Sequence, residues 1–211
     1  NEWHLGDGST SNLPNPIKSY TSTDSFFVKL NVTSNHNCTD SFSKIAYIKP
    51  LPKVGFIIDD TLQCLTENLF KFSDTSLVAS GKITPYWQFG DGFISSDSNP
   101  DHHYQHSGVY TVKLIAVNDS ACTDSISKTV TVLSLPQVNL GSDTNLVDTI
   151  TFQLDAGFGF VSYFWQDNST QQTFDILTSS LAIDSHYFSV MVEDTNGCKN
   201  SDTIKITIFE S

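Results

Sequence analysis

Apolar residues along this chain recur at every second position and nowhere at helical spacing. In Tyr110-Thr-Val112-Lys-Leu114-Ile-Ala116 one face reads Tyr, Val, Leu, Ala. Phe26-Phe-Val28-Lys-Leu30-Asn-Val32 and Ile204-Lys-Ile206-Thr-Ile208 follow the same rule. Successive side chains of a strand point to opposite faces, so these stretches predict strands with one buried face. Gly, Asn, Asp and Pro separate the runs, as turns require. Short strands at this spacing predict an all-β chain of antiparallel β-sandwiches.

The pattern is also written twice. Trp3-His-Leu-Gly6-Asp7-Gly8 returns as Trp87-Gln-Phe-Gly90-Asp91-Gly92, and Cys38-Thr-Asp-Ser-Phe-Ser-Lys44 as Cys122-Thr-Asp-Ser-Ile-Ser-Lys128. Residues 1–54 lie on 85–138 without a gap, with 20 identities. A repeat of this size is a small domain, and strings of such domains bind, space or scaffold. Pro50-Leu-Pro52 and Leu135-Pro136 follow a terminal strand in each copy, where proline stops ladder pairing and stiffens a link. The expected division is 1–52, the C-terminal part of a domain; 53–136, a complete domain; and 137–211, a third sandwich. Residue 1 stands two positions before a Trp that lies well inside the second copy, so the first copy is expected to lack its opening strands, and the chain to be an excerpt.

The net charge is −12, with no Arg, 19 Asp against 4 Glu, 28 Ser and 22 Thr. Phosphate backbones need clustered Lys and Arg, so nucleic acid is excluded as a partner, and anionic membrane surfaces with it. No apolar run approaches the roughly 20 residues of a membrane span. Asp, Ser and Thr favour turns and strands over helix interiors. The composition suits an extracellular protein.

Trp87-Gln-Phe-Gly-Asp-Gly92, Asn99-Pro100-Asp-His102-His-Tyr104 and Gly108-Val-Tyr110-Thr-Val112 resemble the PKD (polycystic kidney disease) repeat, whose pattern runs W-x-F-G-D-G, N-P-x-H-x-Y, G-x-Y-x-V. The resemblance covers 1–136; the first copy departs in having Leu5 for the Phe and Phe26 for the second Tyr. Residues 137–211 are similar to immunoglobulin-like domains that follow such repeats in large Bacteroidota surface proteins, through Val138-Asn-Leu-Gly141-Ser-Asp143, Leu154-Asp-Ala156, Trp165 and Asp194-Thr-Asn-Gly-Cys198. The resemblance implies tandem immunoglobulin-like sandwiches arranged end to end, in adhesins exported by the type IX route, gliding adhesins included. It also implies Trp87, Tyr104, Tyr110 and Trp165 as core determinants.

In an immunoglobulin-like sandwich a buried Trp packs on a disulfide between the two sheets. Cys122 takes the later position and Cys64 the earlier one, so the expectation is a Cys64–Cys122 bridge beneath Trp87, against the alternative of two separate thiols. Cys38 and Cys198 are expected unbridged: Cys38 because its partner would lie in the missing start of the first copy, and Cys198 because the relatives' partner for it falls here on Val147.

Other candidates are weaker. Gly90-Asp91-Gly92 lacks the further glycines and the Lys of a phosphate cradle and reads as a tight turn. His102, His103 and His106 suggest zinc, but adjacent strand residues face opposite ways and a closed site needs about four ligands. No Gly-x-Ser-x-Gly elbow supports a catalytic triad. Asp59, Asp60 and Asp143 are candidate calcium ligands; no other cofactor is expected. Thr61, Ser120, Ser125, Thr149 and Thr203 each follow Asp and precede Ala, Ile or Leu, the pattern that Bacteroidota with such surface proteins O-glycosylate.

The chain is thus expected to be a non-catalytic spacer of a bacterial cell-surface adhesin, holding a binding tip off the cell. Its partners would be neighbouring domains of the same longer chain, with surface or secretion-system proteins or carbohydrate beyond them. The alternative is an accessory module of a secreted polysaccharide- or protein-degrading enzyme, binding through Phe93, Phe158 or Phe160.

Overall fold

Each stretch of alternating polarity is a strand in the computed structural model, which describes all 211 residues. Internal contacts divide the chain into two units: residues 1–57, 72–100 and 112–128, and residues 58–71, 101–111 and 129–211. The fold is all-β and built of sandwich sheets that are antiparallel but for two short parallel pairs.

In the first repeat β1 (Glu2–His4), β2 (Thr10–Ser11), β3 (Ser25–Thr33) and β4 (Thr39–Tyr47) form one sheet in the order β2-β1-β3-β4. The β3–β4 hairpin pairs from Ser25↔Tyr47 to Thr33↔Thr39. Its alternation produces one apolar face, on which Trp3, Val28 and Leu30 are half-buried and Phe42 is 71% exposed. Trp3, Val28, Phe42, Lys44, Ile45 and Ala46 line an open hollow on that face.

The second repeat adds a layer. It supplies β5 (Phe56–Ile58), β6 (Leu62–Cys64), β7 (Phe70–Asp74), β8 (Ile83–Gln88), β9 (Ile94–Ser95), β10 (Asp101–His102), β11 (Gly108–Asn118) and β12 (Thr123–Leu133). One sheet runs β10-β7-β5 and the other β6-β12-β11-β8-β9. The first sheet brings Phe56 and Phe72 onto Trp87, with ring centroids 5.1 and 5.6 Å apart. Trp87, Val112 and Leu114, the counterparts of Trp3, Val28 and Leu30, are 0% exposed. Full burial of such a side chain stabilises by about 1.5–3 kcal/mol, so the second layer separates the two copies energetically.

The C-terminal part contains β13 (Thr144–Val147), β14 (Thr151–Asp155), β15 (Ser162–Trp165), β16 (Thr173–Leu177), β17 (Ser185–Glu193) and β18 (Lys199–Phe209). β13-β18-β17-β15 form one sheet and β14-β16 the other. Trp165, Val190, Val192, Ile204, Ile206 and Ile208 make its core with Leu154 and Ile176 from the smaller sheet. β18 is paired along its length, antiparallel with β17 over nine residues and parallel with β13 over its last four.

Candidate functional site: repeated turns and a cross-link

Two hairpin turns recur with the same hydrogen bonds. In the first kind, Asp7 Oδ1 accepts from Ser9 N, Asp91 Oδ1 from Phe93 N, and Asp167 Oδ1 from Ser169 N, at 3.1, 3.1 and 2.9 Å. The strands close on each turn through Leu5 N to Ser9 O, Phe89 N to Phe93 O and Trp165 N to Ser169 O. Positive φ at Gly8, Gly92 and Asn168 makes the reversal possible. Trp165 therefore sits at the position of Leu5 and Phe89, not of Trp3 and Trp87. A shift of two keeps a strand residue on the same face, so Trp165 is still fully buried. It also accounts for Trp165 standing 33 residues before its Cys, against 35 in the repeats.

The second kind ends on cysteine. Ser34, Asn118 and Asp194 each use their side-chain oxygen to accept the backbone N–H of Cys38, Cys122 and Cys198, at 3.2, 3.0 and 2.9 Å. The residue before each cysteine has positive φ: Asn37 (62°), Ala121 (59°) and Gly197 (81°).

Cys198 is the one that is bridged. It is joined to Cys64, with Cα atoms 5.5 Å apart and a sequence separation of 134; Cys38 and Cys122 are free. This corrects the expected Cys64–Cys122 bridge and the expected unbridged Cys198. The cause is register. β6 runs parallel to β12 and pairs Cys64 with Leu133, at the end of that strand. Cys122 precedes the start of β12 by one residue. At about 3.3 Å per residue the two positions are more than 30 Å apart along the strand, whereas a disulfide spans less than about 7 Å between Cα atoms. The chain past Leu133 leads toward the Cys198 turn instead: the carbonyl of Pro136 accepts from Asn200 Nδ2 at 2.9 Å. Val147 is 41% exposed on β13.

The core determinants are placed as follows. Trp87, Tyr104 and Trp165 are 0% exposed, and Tyr110 is half-buried. Trp87 Nε1 donates to Asp97 O at 2.9 Å, and Trp165 Nε1 to Gln171 O at 2.8 Å. Tyr104 stacks on Tyr110 with centroids 3.9 Å apart and planes at 18°; Tyr20 stacks on Phe26 with the same values. Asn68 passed unnoticed in the sequence. It is 2% exposed, accepts from Tyr104 N at 2.8 Å, and donates to Leu65 O and Tyr104 O at 2.8 and 2.9 Å. Residue 68 lies outside the stretch that is written twice, so the repeat drew no attention to it.

The polar candidates are not gathered. No group of three or more His, Cys, Asp or Glu side chains is placed to hold a metal ion. His102 meets the Tyr104 ring edge-on at 4.6 Å, while His103 and His106 are exposed. Asp59 and Asp143 cap backbone amides, those of Lys71 and Lys205, and Asp60 caps Leu62. Lys18, with Ser9 beside it, holds the Asp7 carboxyl well below the usual range. Gln172 and the Gly157 amide lower Asp155, and Ser169 lowers Asp167. Thr61, Ser125, Thr149 and Thr203 are exposed and Ser120 is half-buried. Of the candidate binding aromatics, Phe93 and Phe158 are 60% and 89% exposed. Phe160 is half-buried against the C-terminal core, edge-on to Tyr163.

Residues 51–133 match the family model of the PKD domain. Collagenase ColA of Bacillus cereus (strain ATCC 14579) is 40% identical over 77 residues, 36% of this chain and 8% of the collagenase. Collagenase ColQ1 of Bacillus cereus (strain Q1) is 44% identical over 61 residues, 28% of this chain and 6% of that protein. The chain thus spans less than a tenth of these curated relatives. Among solved structures, the PKD1 domain of Vibrio anguillarum Epp is similar at 25% identity over 39% of this chain and 93% of that one, with a TM-score of 0.35. No helix is long and apolar enough to cross a membrane.

Proposed function

We propose that the PKD domain of residues 51–133 and the sandwich sheets on either side of it are a non-catalytic, extracellular spacer in a longer bacterial surface adhesin. One observation carries the reading: the recurring Trp, Tyr, Gly-Asp-Gly and Cys positions are occupied in making the fold, and the recurring polar run after each Cys lies exposed along a strand. The recurring Trp and Tyr positions build the aromatic packing, the recurring Asp closes a turn, and the recurring Cys ends one. A catalytic constellation would instead join different residue types at one cleft.

A second reading, an accessory substrate-binding module of a secreted degradative enzyme, is favoured by the matches to two collagenases. The exposed Phe93 and Phe158 would be its contacts. Co-sedimentation of the 211-residue chain with collagen fibrils, cellulose and chitin separates the two. A spacer stays in the supernatant with all three. Saturable retention on one of them, lost in Phe93→Ala or Phe158→Ala while the Tm is unchanged, overturns the spacer reading in favour of the accessory module.

A further inference from the structure

We infer that the Cys64–Cys198 bond is a tension bypass, which takes the sandwich cores between those two residues off the path of a force applied to the chain ends. The inference gives the spacer reading a mechanism and has a role in the organism only if that reading holds, but its geometry can be tested separately.

Follow a pull from residue 1 to residue 211. Without the bond, tension runs through every peptide link, and each sandwich is loaded across its core. With the bond, tension reaches Cys64 at the end of β6, crosses to Cys198, and continues into β18. Cys198 immediately precedes β18, and the chain leaves two residues after its end. Force therefore enters one end of a strand and exits at the other. A strand already rises about 3.3 Å per residue against a maximum of about 3.6 Å, so β18 transmits tension with almost no lengthening and no broken ladder bond. Its nine pairs with β17 and four with β13 stay out of the path. In the second repeat only β5 and β6 lie in the path; the chain from Leu65 onward, with Trp87 and Tyr104, does not.

What remains extensible is residues 1–64, the first repeat together with β5 and β6. The first repeat's cysteine, Cys38, is free and exposed, and its apolar face is half open. The chain thus combines one compliant segment with a long stretch held in reserve. The sequence separation of 134, at about 3.3–3.6 Å per residue, sets that reserve at about 440–480 Å of contour. Release requires reduction: a dithiol supplies two electrons and two protons and leaves two thiols. Cys198 is 0% exposed and Cys64 half-buried, so reductant has poor access while the fold is intact.

Single-molecule force spectroscopy on the full chain, held at residues 1 and 211, tests this. The wild type is stretched to full extension without reductant, then with a phosphine reductant, and a Cys64→Ser/Cys198→Ser double variant is stretched alongside. The expected result is a final contour length shorter by about 440–480 Å in the unreduced wild type than in the other two. Unfolding events in the unreduced chain should be confined to residues 1–64. Because final contour length does not depend on folding, the double variant is informative even if it is unstable. Equal final lengths with and without reductant overturn the inference. A short chain that nonetheless binds collagen or polysaccharide overturns the spacer reading alone.

Discussion

Asn68 offers a sharp test, because its three hydrogen bonds all run to backbone groups, two of them to the buried Tyr104. Its side-chain oxygen accepts from Tyr104 N at 2.8 Å, and its amide donates to Leu65 O and Tyr104 O at 2.8 and 2.9 Å. Asn68→Ala removes all three. At a net worth of about 1 kcal/mol each, with a further 1–3 kcal/mol for the stranded Tyr104 amide, the cost should be about 4–6 kcal/mol. Asn68→Asp keeps the acceptor for Tyr104 N but sets a second carboxylate oxygen against two carbonyl oxygens. Burial and that repulsion raise the folded-state pKa of the new carboxyl above its unfolded value of about 3.9. An acid with a raised folded pKa destabilises fully at high pH, and the penalty shrinks as pH falls through the folded value, since the protonated group can donate to one carbonyl. Amide hydrogen exchange in β11 of the full chain reads the opening free energy of this part of the fold. Relative to wild type at each pH, Asn68→Asp should be at least as unstable as Asn68→Ala at pH 7.5 and should recover at pH 4.5. A loss below about 1 kcal/mol in Asn68→Ala, or a pH-independent Asn68→Asp, would refute the reasoning.

Trp87→Ala, at a 0% exposed position, should cost about 3–5 kcal/mol by the same exchange measurement, whereas Trp3→Ala at the half-open counterpart should cost clearly less. Ala121 holds φ 59° where the C-terminal turn has Gly197; Ala121→Gly should therefore stabilise by up to about 1 kcal/mol, read as a rise in Tm, while Gly197→Ala should lower it. Asp7, Asp155 and Asp167 are all held below the ordinary 3.8 by hydrogen bonds to their carboxylates. The stability they contribute is complete above about pH 4 and lost as pH falls further, so Tm should drop between about pH 4 and 2, with a shallower drop in Asp7→Asn.

How much of this was legible depends on whether the signal was local. Strands were, because alternation at Phe26–Val32, Tyr110–Ala116 and Ile204–Ile208 is a two-residue signal that burial enforces on each strand independently. The repeated turns were too, since Gly6-Asp7-Gly8 and Gly90-Asp91-Gly92 need their glycines at positive φ. The cysteine pairing was not. Spacing and a sandwich analogy placed Cys64 near Cys122, but pairing follows the register of β6 on β12, which puts Cys64 beside Leu133. Register over a three-residue parallel pair leaves no sequence period to read. Asn68 was hidden for a related reason: one polar residue in Thr66-Glu67-Asn68-Leu69 looks like a turn until Tyr104, 36 positions away, is packed against it. The partial burial of Phe160 was hidden as well, because its neighbours Gly159 and Val161 are exposed and a tertiary contact with Tyr163 covers it.

The central claim is that this segment serves through its fold and length rather than through any reactive or ligand-reading side chain. The most direct measurement replaces residues 1–211 in the parent protein by an unrelated β-sandwich array of matched length and compares adhesion of the cells under flow. Adhesion should stay within about twofold of the original and fall in a graded way when the insert is shortened. Loss of adhesion with a folded, length-matched insert would contradict it.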